Sequence, residues 1–487
     1  MNRLAVINVV GLTEGLIGEH TPALSAFRRR GALAHIAPAF PAVTCTAQSN
    51  YLTGTPPARH GIVGNGWYDR EAAEVRFWKQ SNHLVGGEKI WDVLRAREPG
   101  FTCAQLFWWF NMYSRADYSL TPRPLYPADG RKVFDIHAWP YEVRPAIKRD
   151  LGEFPFFGFW GPAAGVKSPA GGPAVVSRWI AEAAKWMEEK HHPTLNLVYL
   201  PHLDYNLQRH GPFVPADPAL TCSPARPPRP ALNPAIEPDL QAIDAIVGDL
   251  ITFFDRQNVR VVLLSEYGIN NVSRPVALNR IFRQHGWLAI KDELGRETLD
   301  AGASRVFAVV DHQVAHIYVN DPSLTDEVRR LLGSIPSVDR VLGPVEKAAA
   351  GSDHPRAGDL IAVAAEEAWF SYYYWLDDAR APDFARTVDI HRKPGYDPAE
   401  LFLDPRLRLP RLKIARRLLQ KKLGFRMLMD VIPLDASLVK GSHGRIPADP
   451  LDWPVFLTNQ PRLMTVPQIE STDVFHALIR HVLREKD

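Results

Sequence analysis

The sequence predicts an α/β fold, a mainly parallel sheet sandwiched by helices with an α+β cap domain inserted into it, and three observations carry that expectation. Four short apolar runs, LAVINVV at 4–10, LNLVYL at 195–200, RVVLLS at 260–265 and DLIAVAA at 359–365, have the continuous hydrophobicity of strands covered on both faces. Helix-period segments, SRWIAEAAKWMEEK and LQAIDAIVGDLITFFDRQ, stand before the second and third runs, an alternation that builds parallel sheets. Polar groups follow the runs in GLTEG at 11–15, PHLDYNLQRHGP at 201–212 and EYGIN at 266–270, where open α/β sheets bind their ligands.

Taken in order, the opening MNRLAVINVVGL has a single Arg and no small-residue cleavage site, so it reads as a first strand. The stretch AFPAVTCTAQSNYLTGTPPARHGIVGNGWYD, 39–69, starts a helix at Thr44 after PAV. A helix at KIWDVL follows, and then FWWFNMY at 107–113, an aromatic run at a strand end that belongs to the core or stacks a flat group through Trp109. TPRPLYPADGRK reads as an ordered loop with Arg123 and Arg131 as possible anion contacts, and the segment from Pro212 to Pro238 as a long surface excursion. Three regions are expected: a core over 1–274, an inserted cap over 275–435, and a C-terminal return to the core over 436–487.

The chain has 57 basic and 54 acidic residues among 487, a net charge of +3, too small for a field that recruits a nucleic-acid duplex or an anionic membrane. A small-molecule partner is expected instead. No apolar run nears the ~20 residues of a membrane span. Cys45, Cys103 and Cys222 suggest neither a disulfide framework nor a structural zinc site, which favours a cytoplasmic home.

In the 39–69 stretch Thr44 lies nine residues before the Thr of a Thr-Gly turn at 53–54, and Pro57, His-Gly-Ile at 60–62 and Asn65 follow. This pattern resembles the alkaline phosphatase superfamily, in its branch of type I phosphodiesterases (nucleotide pyrophosphatase/phosphodiesterases) and phosphonoacetate hydrolases. PHLDYNLQRHGP, LSEYGI and KGSHGR resemble further elements of that branch. The resemblance implies Thr44 as nucleophile, with Asn65 donating to charge on the phosphoryl oxygens. It also implies hydrolysis of a phosphate ester, phosphodiester or phosphonate, with a small anionic metabolite as substrate.

The superfamily's two-metal site implies six further ligands, and this chain departs from them. Val10 stands where an Asp is expected, Gln208 where a His is, and Tyr267 where a second His is, whereas Asp204, Glu266 (for Asp) and His443 keep ligand chemistry. One divalent ion (Zn, Mn, Mg or Ca) on Asp204, Glu266 and His443 is thus expected over a full two-zinc site, with Gln208, Tyr267 and His202 as weaker ligands. Asn8, Glu14 and His210 are further compensating candidates. The altered set leaves two other readings open: a pseudoenzyme that binds an anionic metabolite, and non-phosphoryl chemistry with Glu266 or His443 as general base. Cys45 lacks the Pro and Arg of a sulfatase signature and reads as a packed residue. The two His of DHQVAH, 311–316, sit on a strand and belong to cap packing or substrate contact. In VDIHRKPGYDP, Arg392 and Lys393 clamp an anionic group or are simply solvated.

Overall fold

Leu4–Val9 is buried along its whole length because it is hydrogen-bonded on both sides, in parallel, to Leu195–Leu200 and Arg260–Leu264. The computed structural model describes residues 1–166, 174–214 and 230–484. These three strands form the middle of a nine-stranded sheet. Its order is Gln468–Glu470, Ala32–Ala37, Val455–Thr458, Arg260–Leu264, Leu4–Val9, Leu195–Leu200, Cys103–Leu106, Tyr118–Pro122 and Ile136–Trp139. Pairing is parallel from Arg260–Leu264 through Tyr118–Pro122, while Val455–Thr458 and Ile136–Trp139 run antiparallel to their neighbours. Two strands of this sheet, Val455–Thr458 and Gln468–Glu470, come from the last part of the chain.

Helices pack against the sheet in two groups. Val175–His191 and Glu237–Arg256 are the two expected helical patterns and pack on each other and on strands Leu195–Leu200 and Arg260–Leu264. Thr44–Thr53, Ile90–Arg97 and Asp473–Val482 form the other group. No helix of the described residues is long and apolar enough to cross a membrane.

The fourth apolar run departs from its expected place. Leu360–Ala364 is a buried strand, but it pairs antiparallel with Val314–Val319 and Val338–Leu342 in a separate four-stranded sheet completed by Val306–Asp311. Continuous hydrophobicity marks burial on both faces and says nothing of strand direction. A second apolar core surrounds this sheet, from Leu278 to Leu434, joined by Tyr68 and Phe77 from the first part of the chain. Most of the Pro-rich excursion, 215–229, lies outside the described residues, as does Cys222.

Candidate active site

Parallel register aligns the carboxyl ends of the three central strands, Asn8 lying opposite Tyr199 on one side and Leu264 on the other. The residues that follow converge there. His202–His210 begins two residues after Leu200 and carries Asp204 and Gln208 one turn apart on one face, and Ser265, Glu266 and Tyr267 leave the neighbouring strand. Thr44 opens its helix with Val43 as an N-cap that makes no side-chain cap bond, so the first-turn N–H groups and the Thr44 hydroxyl meet at one point. Gly54, at φ +65°, ends this helix in the left-handed turn that favours glycine.

Thr44, Asn65, Asp204 and Tyr267 line a narrow cavity of about 60 Å³ with an aromatic wall that includes Trp78, Trp109 and Trp160. The Thr44 hydroxyl lies 3.3 Å from the Tyr267 hydroxyl, which in turn donates to Asp204 Oδ1 at 3.1 Å. Gln208 Nε2 donates to the other Asp204 oxygen at 2.7 Å, and Tyr396 O–H donates to Gln208 Oε1 at 3.0 Å. Behind Thr44, Glu266 Oε1 accepts from Asn8 Nδ2 at 2.6 Å and Gln48 Nε2 at 2.5 Å, while its Oε2 is buried without a partner among the described residues. Burial pushes the Asp204 and Glu266 carboxyls up to about 7 against these hydrogen bonds, with the Thr44 hydroxyl among the groups that favour the Glu266 carboxylate.

Asn65 is committed to scaffolding as well as to the cavity. Its Oδ1 accepts from the Cys45 N–H at 3.0 Å, and its backbone N–H and Nδ2 donate to Asp311 at 2.7 and 3.1 Å. Its amide keeps one further hydrogen for a ligand. Asp311 also meets His312 Nδ1 at 2.8 Å. Asp311 and Val314 end adjacent antiparallel strands, so His312 and Gln313 form a two-residue turn, and His312 sits at φ +61° and lines the cavity. His312, His443 and Tyr267 stack in series, with ring centroids 3.7 Å apart for the two histidines and 3.5 Å for His443 on Tyr267. His443 Nδ1 faces the Ala42 carbonyl at 2.8 Å, which fixes the proton on that nitrogen. Burial holds both histidines well below their usual range, hence neutral, and both Nε2 atoms are unpartnered among the described residues.

The expected divalent ion finds no matching donor set. Among the described residues no group of three or more His, Cys, Asp and Glu side chains is arranged to hold an ion. The Gln208 amide and the Asp204 carboxylate are satisfied by each other and by the two tyrosines, and burial keeps the Tyr267 phenol protonated, a poor ligand. Protein hydrogen bonds therefore engage three of the residues that resemblance gave to metal ligands, Asp204, Gln208 and Tyr267, while Glu266 Oε2 and His443 Nε2 are unpartnered among the described residues.

Other expected residues lie elsewhere. His202 approaches Asp239 at 2.8 Å, and Glu14 pairs with His35 at 2.6 Å and with Arg28. Lys393 is not an anion clamp but a buried cation between Asp397 and Glu400, each at 2.7 Å, and Arg392 pairs with Asp383. Arg131 pairs with Asp129, and Cys45 is fully buried. His316 bridges Val63 O and Gly358 N–H and so braces the chain before Asn65. Asp311, Trp78, Trp160 and Tyr396 are cavity or near-cavity residues that sequence reading did not select, whereas His312, read there as cap packing or substrate contact, lines the cavity. The Asp-His pair preceding an alternating strand is a turn signal that could have found Asp311.

Fold and cavity together define an α/β architecture of the alkaline phosphatase type. The model of the type I phosphodiesterase / nucleotide pyrophosphatase family matches residues 4–397, and the chain belongs to this family of hydrolytic enzymes. No curated protein sequence matches it. Among solved structures it is similar to phosphonoacetate hydrolase from Sinorhizobium meliloti 1021, seen with phosphonoacetate and with phosphonoformate. The TM-score is 0.59 at 14% identity, over 99% of this chain and 96% of that one. It is also similar to murine ectonucleotide pyrophosphatase/phosphodiesterase 5, seen as an inactive form with AMP, at TM-score 0.56 and 15% identity over 99% and 95% of the chains. The human counterpart gives TM-score 0.54 at 16% identity over 99% and 95%.

Proposed function

We propose that this chain hydrolyses a small phosphate ester, phosphodiester or phosphonate through Thr44, with protein groups taking the part of the family's metal ions. The carrying observation is the Thr44 hydroxyl, held at a helix N-terminus against the Tyr267 hydroxyl. Thr44 Oγ1 attacks phosphorus, and its proton passes to Glu266, whose Oε2 has no other partner. The bond to the leaving group breaks as the Thr44 ester forms. The Thr44 N–H and the remaining Asn65 amide hydrogen steady the phosphoryl oxygens, while Tyr267, its own hydrogen on Asp204, holds the Thr44 oxygen in place. Neutral His312, oriented by Asp311, then accepts a proton from water at Nε2 as water displaces Thr44. The Thr44 oxygen takes back the proton held by Glu266, the departed group takes one from solvent, and His312 releases its own to solvent.

The apolar part of the substrate rests on Trp78, Trp109 and Trp160. Residues 275–435 act as the cap, contributing His312, Ile390 and Tyr396 to the cavity. The ligands of the structural relatives, phosphonates and AMP, name the two substrate classes to assay first, phosphonates and nucleotide phosphoesters. Thr44→Ala should lower turnover of the best substrate on the order of 10³-fold or more while leaving its affinity in place. Unaltered turnover in that variant overturns the nucleophile. The replaced residues Val10, Gln208 and Tyr267 favour a second reading, a pocket that only binds. Its signature is saturable binding of a phosphonate or nucleotide with no turnover of any ester.

A further inference from the structure

Pro410–Lys422 is turned inside out relative to an ordinary surface helix, with no buried residue along its length. At 3.6 residues per turn, Leu412, Leu419 and Leu423 fall within about 40° of one another, and they are 63%, 56% and 64% exposed. The opposite side faces the protein and is largely charged: Lys413 and Arg417 bind Asp430 at 2.9 and 3.1 Å, and only Ile414 packs on the small apolar cluster of Ala399, Val431 and Ile432. Phe425, just beyond the helix, is 68% exposed. Contiguous exposed leucines on a helix mark an interaction site.

Charge identifies the partner. Residues 405–429 contain nine Lys and Arg and no Asp or Glu, whereas the rest of the chain holds more acid than base. A whole-chain net charge of +3 conceals this local concentration. Arg411, Arg416 and Lys422 are exposed on the flanks of the leucine stripe. An apolar stripe edged by cations fits the boundary between anionic headgroups and acyl chains, where leucines enter the hydrocarbon and the basic side chains reach the headgroups. We propose that the 405–429 segment adsorbs this protein to anionic lipid bilayers, lying in the plane of the surface. Adsorption of this kind needs no spanning helix and is independent of the chemistry at Thr44.

The test is co-sedimentation of the full chain with vesicles of phosphatidylcholine alone or with about one-third phosphatidylglycerol. Two variants accompany it, Leu412→Gln/Leu419→Gln/Leu423→Gln and Arg411→Gln/Arg416→Gln/Lys422→Gln. The wild type should pellet with the anionic vesicles, at least tenfold more strongly than with the zwitterionic ones, and release as salt rises. Each variant should lose at least tenfold in binding and keep the wild-type melting temperature. Equal binding to both vesicles, or none to either, overturns the proposal. So does a wild-type dimer that the leucine variant abolishes without vesicle binding, since that makes the stripe a protein contact. A lowered melting temperature in the leucine variant would make it part of the core and overturn the proposal equally.

Discussion

Glu266, the proposed base for Thr44, has a carboxyl that burial lifts to about 7, a range suited to taking a proton near neutrality. Only the ionised form is a base, so kcat/KM should rise with pH and level off above about 7. Glu266→Gln should flatten that profile and lower the plateau about 10²–10⁴-fold, and a retained inflection in the variant would assign it to another group. The same group bears on stability with a definite sign. Folded Glu266 and Asp204 hold their protons up to about 7, whereas unfolded carboxyls release theirs near 4. Their contribution is full below about pH 4 and is lost as pH rises through 7. A wild-type melting temperature that falls over this range, with a shallower fall in Glu266→Gln, is the expected readout. At this scale the sequence was informative about Thr44, Asn65, Asp204 and Tyr267 because motif spacing carries them into one cavity. It was uninformative about Lys393, since nothing local distinguishes a solvated cation from one enclosed by Asp397 and Glu400.

The helix Thr44–Thr53 is the element on which the site depends, and Gly54 is its weak point. A Cβ at Gly54 would meet Phe475 Cδ1 at 2.9 Å, and the φ of +65° is itself unfavourable for a side chain by roughly 1–2 kcal/mol. Gly54→Ala should therefore lower the melting temperature and reduce activity together, as the ring of Phe475 displaces the helix that carries Thr44. An unshifted melting curve would show that the turn relaxes freely. His316 links two further elements, and His316→Ala leaves Val63 O and Gly358 N–H unpaired at a cost of about 1–3 kcal/mol each. The strands and long helices were legible because their hydrophobic period is strong over Leu4–Val9, Val175–His191 and Glu237–Arg256. Leu360–Ala364 was legible as a strand but not as a member of the second sheet. Its partners are set by packing with Val314–Val319, which no local pattern encodes.

Across the whole molecule, the family fold sets Thr44, the proposed nucleophile, at a helix N-terminus and joins Asp204, Gln208 and Tyr267 by hydrogen bonds. Val10, Gln208 and Tyr267 were readable as departures in the sequence. That Tyr267 links Thr44 to Asp204 while stacked on His443 required the fold. Peptide mapping by mass spectrometry tests the resulting claim directly. Chelator-treated protein is incubated with a nitrophenyl phosphodiester or phosphonate ester and then quenched in acid. The expected result is a phosphoryl or phosphonyl adduct on the Thr44 peptide, equal in yield with and without the chelator and absent in Thr44→Ala. An adduct that appears only after zinc or manganese is restored, or one carried by another residue, would contradict it.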